Sequence, residues 1–204
     1  MPEKRSTYHH GDLRAALIQA ADEIIAEEGI EGFSLRAAAQ RAGVSPGAPA
    51  HHFGSAQGLL TEVALLAYQR MGQEMDRVIN PDDSVATLRA LSLAFVTFAL
   101  NNPGHFRLMF RKDLVNRDDP RYSYVVAYGV RLNAAFADYY GRGEMDSSRF
   151  EDAADMFGCL SMLHGMANMV LAEKIGHLFP GMTMREFVEQ KLPAVLERMY
   201  PRKD

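Results

Sequence analysis

A chain of 204 residues has room for one large domain or two small ones, and its 48% apolar content suits a sizeable core rather than disorder. A net charge of −4 is not that of a nonspecific nucleic-acid binder, so any DNA-binding face is a small patch on an acidic molecule. The single cysteine, Cys159, excludes an internal disulfide and a cysteine-based metal cluster. The start, MPEKRSTYHHGDL, carries no apolar signal-peptide core. The charge-free stretch from Gly158 to Ala172 falls short of the ~18 apolar residues of a membrane span. A soluble, cytoplasmic protein with no membrane partner is expected.

In chain order, the spacing of Leu13, Leu17, Ala20 and Ile24 predicts an amphipathic helix from about Asp12 to Glu28, ended by Gly29. The segment Ser34 to Phe53, SLRAAAQRAGVSPGAPAHHF, reads as two short helices joined by a tight turn. Ser34 caps the first helix, and Ala38, Ala39 and Ala42 give it a small-residue face. Gly43 stands where the chain must turn with positive φ. Ser45 and Pro46 are expected to open the second helix as its N-cap and first-turn proline. This is the layout of a DNA-binding helix-turn-helix, whose second helix enters the major groove; an ordinary αα-hairpin has the same pattern. A long helix follows from about Ala56 to Ile79.

Asn80-Pro81-Asp82 reads as a boundary. Beyond it lie a helix rich in Leu and Phe up to Leu100, a stop at Asn101 to Gly104 and a short helix from His105 to Lys112. Then come helices from about Arg121 to Tyr140, Arg149 to Ile175 and Met184 to Tyr200, the last with Pro193 inside it. No alternating strand pattern survives, so the chain is expected to be all-α with roughly nine helices. The expected organisation is a helix-turn-helix domain over residues 8–70 and a helical ligand-binding and dimerisation domain over residues 71–204.

Residues Tyr8 to Leu66, through ALIQAADEIIAEEGIEGFSLRAAAQRAGVS, HHF and GLL, resemble the N-terminal domain of the TetR (tetracycline repressor-like) family of bacterial transcription regulators. NPGHFRLMF and the Met162–Ala167 segment MLHGMA are similar to the family's WHG-type regulatory domains, although this chain has no tryptophan. The resemblance implies a homodimeric, ligand-responsive repressor. Two reading helices would enter successive major grooves of a palindromic double-stranded operator, and a small effector would release the DNA. In such a frame Ser34 and the free N–H groups beside it can hold a phosphate. Arg36 can reach a guanine edge or a phosphate, or lie on a solvated helix face like Arg41. Ser45, Pro46, Gly47 and Ala48 form the leading end of the reading helix. His51 and His52 offer hydrogen bonds to phosphates or bases. Lys4 and Arg5 belong to an N-terminal arm, either DNA-contacting or a free tail. Two positions depart from the family: Ala50 and Ala56 stand where a tyrosine and a lysine usually hold phosphates. Pro49 is expected to cost the reading helix a backbone bond to Ser45.

In the C-terminal half, Phe95, Phe98, Phe106, Met109, Phe110, Tyr128, Leu132 and His164 are candidates to line a site for an apolar or aromatic effector. Aromatics at helical spacing are also what an ordinary core requires, and His164 can equally be a buried structural histidine. Met156, Met162, Met166 and Met169 suggest a homodimer seam, with the last two helices forming a four-helix interface. HExxH, P-loop, GxGxxG and GxSxG patterns are absent. No enzymatic activity, metal or cofactor is expected.

Overall fold

The computed structural model describes residues 10–202, excepting the side chains of 10–12 and 123–128. Among the described residues there are ten α-helices and no strand. They are α1 (His10–Glu28), α2 (Leu35–Arg41), α3 (Ala48–Phe53), α4 (Ala56–Asp76), α5 (Ser84–Asn101), α6 (Pro103–Met109), α7 (Ser123–Tyr139), α8 (Phe150–Leu171), α9 (Met184–Gln190) and α10 (Leu192–Met199). The all-α expectation holds. The expected final helix is two, because Pro193 in the first turn of α10 has no N–H to continue the ladder from α9. α8 stops at Leu171 rather than near Ile175. There Lys174 N–H reaches the Met169 carbonyl and Glu173 N–H the Val170 carbonyl, a paired closure of the helix end. Glu173 occupies its left-handed position at φ 53°.

The chain divides into two compact units, Met1–Ala67 with Gly104–Asp119, and Tyr68–Pro103 with Pro120–Asp204. The division falls within α4, and α6 with the segment after it belongs to the first unit. Two features on α1 explain this. Gly104 is packed so closely that a Cβ there would lie 2.1 Å from the Ile25 carbonyl oxygen. The next residue, His105, is 3% exposed and its Nε2 lies 2.9 Å from Asp22 Oδ1. Leu17, Ile24, Ile25, Leu59 and Leu108 are fully buried in this unit. Each such side chain contributes about 1.5–3 kcal/mol by leaving water.

In the second unit α5 packs against α7, α8, α9 and α10. α5 is by length and composition apolar enough to cross a membrane. However, Leu88, Leu91, Phe95, Val96 and Phe98 are buried, which is what the central helix of a bundle requires. The C-terminal end is fastened to α5 and α8. Arg89 donates to the Tyr200 carbonyl at 2.9 and 2.6 Å, Arg202 pairs with Asp83, and Cys159 Sγ lies 3.1 Å from the Tyr200 hydroxyl. Burial pushes the Cys159 thiol up to about 12.

Candidate nucleic-acid interface

The helix-turn-helix is built from local chemistry. Ser34, in extended conformation, caps α2 by accepting the Ala37 N–H at 3.0 Å. At the other end, Val44 N–H donates to the Ala39 carbonyl and Gly43 N–H to that of Gln40, closing the helix with Gly43 at φ 67°. A side chain at Gly43 would be strained there. Ala38 and Ala39 are buried, as a small-residue face for helix packing demands.

α3 begins later than expected. Ser45 to Ala48 form a turn, with Ala48 N–H donating to the Ser45 carbonyl at 3.0 Å, and Gly47 is the N-cap. Pro49 therefore sits in the first turn, where helix N–H groups have no partner within the helix. The expected loss of a backbone bond does not arise: His51 N–H supplies the first internal bond, to the Gly47 carbonyl. Pro49 is buried and serves packing. At the α3–α4 junction, Gly58 lets the helices approach: a Cβ there would lie 2.1 Å from the Phe53 carbonyl oxygen.

On this framework Ser34, Arg36, Ser45, Pro46, Gly47 and His51 are exposed, while Ala48 and His52 are partly covered. The His51 and His52 rings stand edge to face at 5.5 Å. Gln40, which the motif reading passes over, is exposed one helical turn after Arg36 and shares its face; the i, i+4 spacing is the signal for it. The arginines separate by partner. Arg41 is held by Glu27 at 2.8 Å and Glu28 at 3.2 Å. Arg14 pairs with Glu62 at 2.7 Å and lies over the Phe53 ring, 5.3 Å from its centroid. Arg36 makes no ion pair among the described residues. Lys4 and Arg5 lie outside the described residues, and Ala50 and Ala56 are exposed.

The candidate effector residues divide between the two units. Phe106, Met109 and Phe110 belong to the first unit, with α6. Phe106 and Phe110 stack edge to face at 5.0 Å. Phe95, Phe98, Leu132 and His164 are in the second unit, with Tyr128 on α7. Phe95 and His164 meet edge to face at 5.1 Å. Burial depresses the His164 pKa, which favours the neutral imidazole. Of the four methionines on α8, only Met169 is exposed; Met162 is partly buried, its sulfur 4.0 Å from the Tyr200 hydroxyl.

Among the described residues no group of three or more His, Cys, Asp and Glu side chains is arranged to hold a metal ion.

Comparison with known proteins agrees with this geometry. A family model described as "Bacterial regulatory proteins, tetR family" matches residues 17–63, and one described as "Tetracyclin repressor-like, C-terminal domain" matches residues 88–194, more than half of the chain. An uncharacterized HTH-type transcriptional regulator from Bacillus subtilis, YobS, is 27% identical over 102 residues, covering 50% of this chain and 53% of that protein. The match thus spans about half the length of that curated relative. Among solved structures, a protein of unknown function from Rhodococcus sp. RHA1 superposes with a TM-score of 0.69 at 22% identity, covering 98% of this chain and 100% of that one. The TetR-family regulator PfmR from Thermus thermophilus gives 0.60 at 21% identity, covering 92% of this chain and 98% of its own. A capped α2, a glycine-closed turn, a short α3 and both family models in chain order lead to one conclusion: the chain belongs to the TetR family of bacterial regulatory proteins.

Proposed function

We propose that the chain is a ligand-responsive homodimeric repressor that binds palindromic operator DNA and is released by a small apolar or aromatic effector. The observation that carries this reading is the exposed turn over residues 45–47 that leads into α3 without a side-chain cap, together with Arg36, which is exposed and makes no ion pair among the described residues. Small residues there let the backbone approach base edges, and Arg36 supplies the bidentate donor that such a surface otherwise lacks. Ser34, Ser45, Pro46, Gly47, Ala48, His51 and His52 complete the contact surface, with Lys4 and Arg5 as a basic arm.

The dimer forms through α8 and the α9–α10 pair. Its seam is a stripe on α8 in which Phe150 is 81% and Phe157 74% exposed. Ala154, Ser161, Gly165 and Asn168 recur at helical spacing on the same face and are also exposed. Small residues beside a large aromatic suit close packing against a second copy. Met156, Met162 and Met166, expected at the seam, are partly exposed on another face of α8. The effector site lies in the second unit, with Phe95, Phe98 and Leu132 as apolar and aromatic lining; the side chain of Tyr128, the further expected residue, lies outside those described. His164 provides a neutral imidazole as polar handle. The protein acts without a cofactor and without catalysis, in the cytoplasm.

Exposed alanines at positions 50 and 56 favour a second reading, a dimeric small-molecule-binding protein with weakened DNA affinity. A mobility shift with the DNA flanking the chain's own gene, at low and moderate salt, separates the two. Competable, sequence-selective binding supports the repressor; binding without selectivity at every salt concentration supports the second reading.

A further inference from the structure

Among the first unit's described arginines and lysines, Arg36, Arg107, Lys112 and Arg117 make no ion pair, and the other three are engaged. Of its described arginines and lysines, Arg14 and Arg41 are held by Glu62 and by Glu27 and Glu28. Arg111 is locked in a two-pronged bond to Asp113, at 2.8 and 2.7 Å. On the helix-turn-helix pair Arg36 alone of the described arginines makes no ion pair, and the exposed positions around the α3–α4 junction, Ala50, His51, Gly54, Ser55, Ala56 and Gln57, include no lysine or arginine. A duplex binder of this net charge needs further positive charge near its phosphates.

Of these cations, Arg117 follows a residue that is hydrogen-bonded to that junction. Asn116 N–H donates to Thr61 Oγ1 at 2.9 Å, and the Thr61 hydroxyl in turn donates to the Gln57 carbonyl at 2.7 Å. The backbone of Asn116 is therefore two hydrogen bonds from the first turn of α4, next to Ala56. Thr61 is 2% exposed, so this strut is shielded from water. The following residue, Arg117, is exposed, and its guanidinium donates only to the Phe110 carbonyl, at 3.3 Å. It makes no ion pair among the described residues. Two carboxylates follow it, Asp118 and Asp119, the first turned back so that its own N–H donates to Asn116 Oδ1.

We propose that Arg117 binds a DNA backbone phosphate beside the N-terminal end of α4, an anchor supplied from the α6–α7 segment rather than from the helix-turn-helix itself. The proposal rests on the reading of the chain as an operator-binding dimer, in which the contact occurs once per subunit. It positions the protein and carries no sequence information.

The experiment uses the full-length protein and a duplex enriched by it from a random DNA pool, with affinity measured between 50 and 200 mM salt. Removing one phosphate-binding cation lowers the slope of log affinity against log salt by about 0.9, so Arg117→Gln should lower it by about 1.8 for the dimer. Over that salt range the wild type should then lose about twelvefold more affinity than the variant. The preferred sequence should be unchanged, and Arg117→Lys should restore most of the slope. Arg198→Gln, on α10, controls for net charge and should leave the slope as it is. An unchanged slope in Arg117→Gln, or one that Arg117→Lys fails to restore, overturns the proposal while leaving operator binding intact. Failure of the wild type to enrich any duplex overturns operator binding and the proposal with it.

Discussion

Replacing Gly104 with alanine probes the join that assigns α6 to the first unit. The added Cβ would stand 2.1 Å from the Ile25 carbonyl oxygen, 3.2 Å from its carbon and 3.3 Å from Ile25 Cγ2, where ordinary contact begins at 3.4 Å. Two of those three atoms are backbone inside α1 and cannot rotate away. α6 must therefore back off by roughly 1.3 Å, which overpacking data place at about 1–3 kcal/mol. The same displacement stretches the buried 2.9 Å hydrogen bond between His105 and Asp22, adding about 1–3 kcal/mol if it breaks. Because the two costs are alternatives to some extent, a net destabilisation of about 2–4 kcal/mol is expected, or about 10 °C in Tm for a chain of this size. Urea unfolding followed by circular dichroism measures it, and amide exchange should show the loss at α1 and α6. The matched control is Gly72→Ala in α4, where nothing lies within 4 Å of the new Cβ. There helix propensity should raise stability by about 0.5–1 kcal/mol. If Gly104→Ala unfolds within about 0.5 kcal/mol of the wild type, α6 is not held against α1 as described.

Three further substitutions or reactions read other parts of the structure. Glu173→Gly should stabilise by about 0.5–1 kcal/mol, because the left-handed position that closes α8 strains an L side chain more than the glycine costs the unfolded chain; a loss of stability in thermal melts would refute the closure. The Asp152 carboxyl, almost fully buried, is held below the usual carboxylate range first by the Asp146 N–H and then by the Arg142 guanidinium. A lowered folded pKa means stability that is present above about pH 4 and drains away as the pH falls further. Asp152→Asn should therefore unfold more readily than the wild type at about pH 6, with the gap closing toward about pH 3; a gap independent of pH contradicts the pairing. Cys159, buried and raised to about 12, should resist iodoacetamide at about pH 8 until the protein is unfolded. Rapid alkylation of the native protein would show the C-terminal end to be looser than its bonds to Arg89 and Cys159 imply.

The helix-turn-helix is legible in the sequence because its instructions are local. A serine cap, a glycine turn and two buried alanines within a dozen residues specify α2 and its exit whatever lies around them. Pro49 departs from expectation only by register: counted from Ser45 it costs the helix its first backbone bond, and counted from the observed start at Ala48 it costs none. Distant pairings are not legible. His105 meets Asp22 across 83 residues, and that pairing, with Gly104, joins α6 and its Phe106 and Met109 to the first unit. Arg14 reaches Glu62 in the same unannounced way. On α8, helical spacing sets Met156, Met162 and Met166 on a different face from the exposed Phe150 and Phe157.

The central claim is that this short α3, beside Arg36, reads a two-fold symmetric DNA site. Selection of bound duplexes from a random pool by the purified protein, at 50 and 150 mM salt, tests it most directly. The account predicts enrichment of one palindromic sequence with half-sites centred about one helical turn apart, or a multiple of it. Arg36→Ala should relax the preference at one position in each half-site by about 1–3 kcal/mol. A pool that returns no shared sequence at either salt concentration would contradict it.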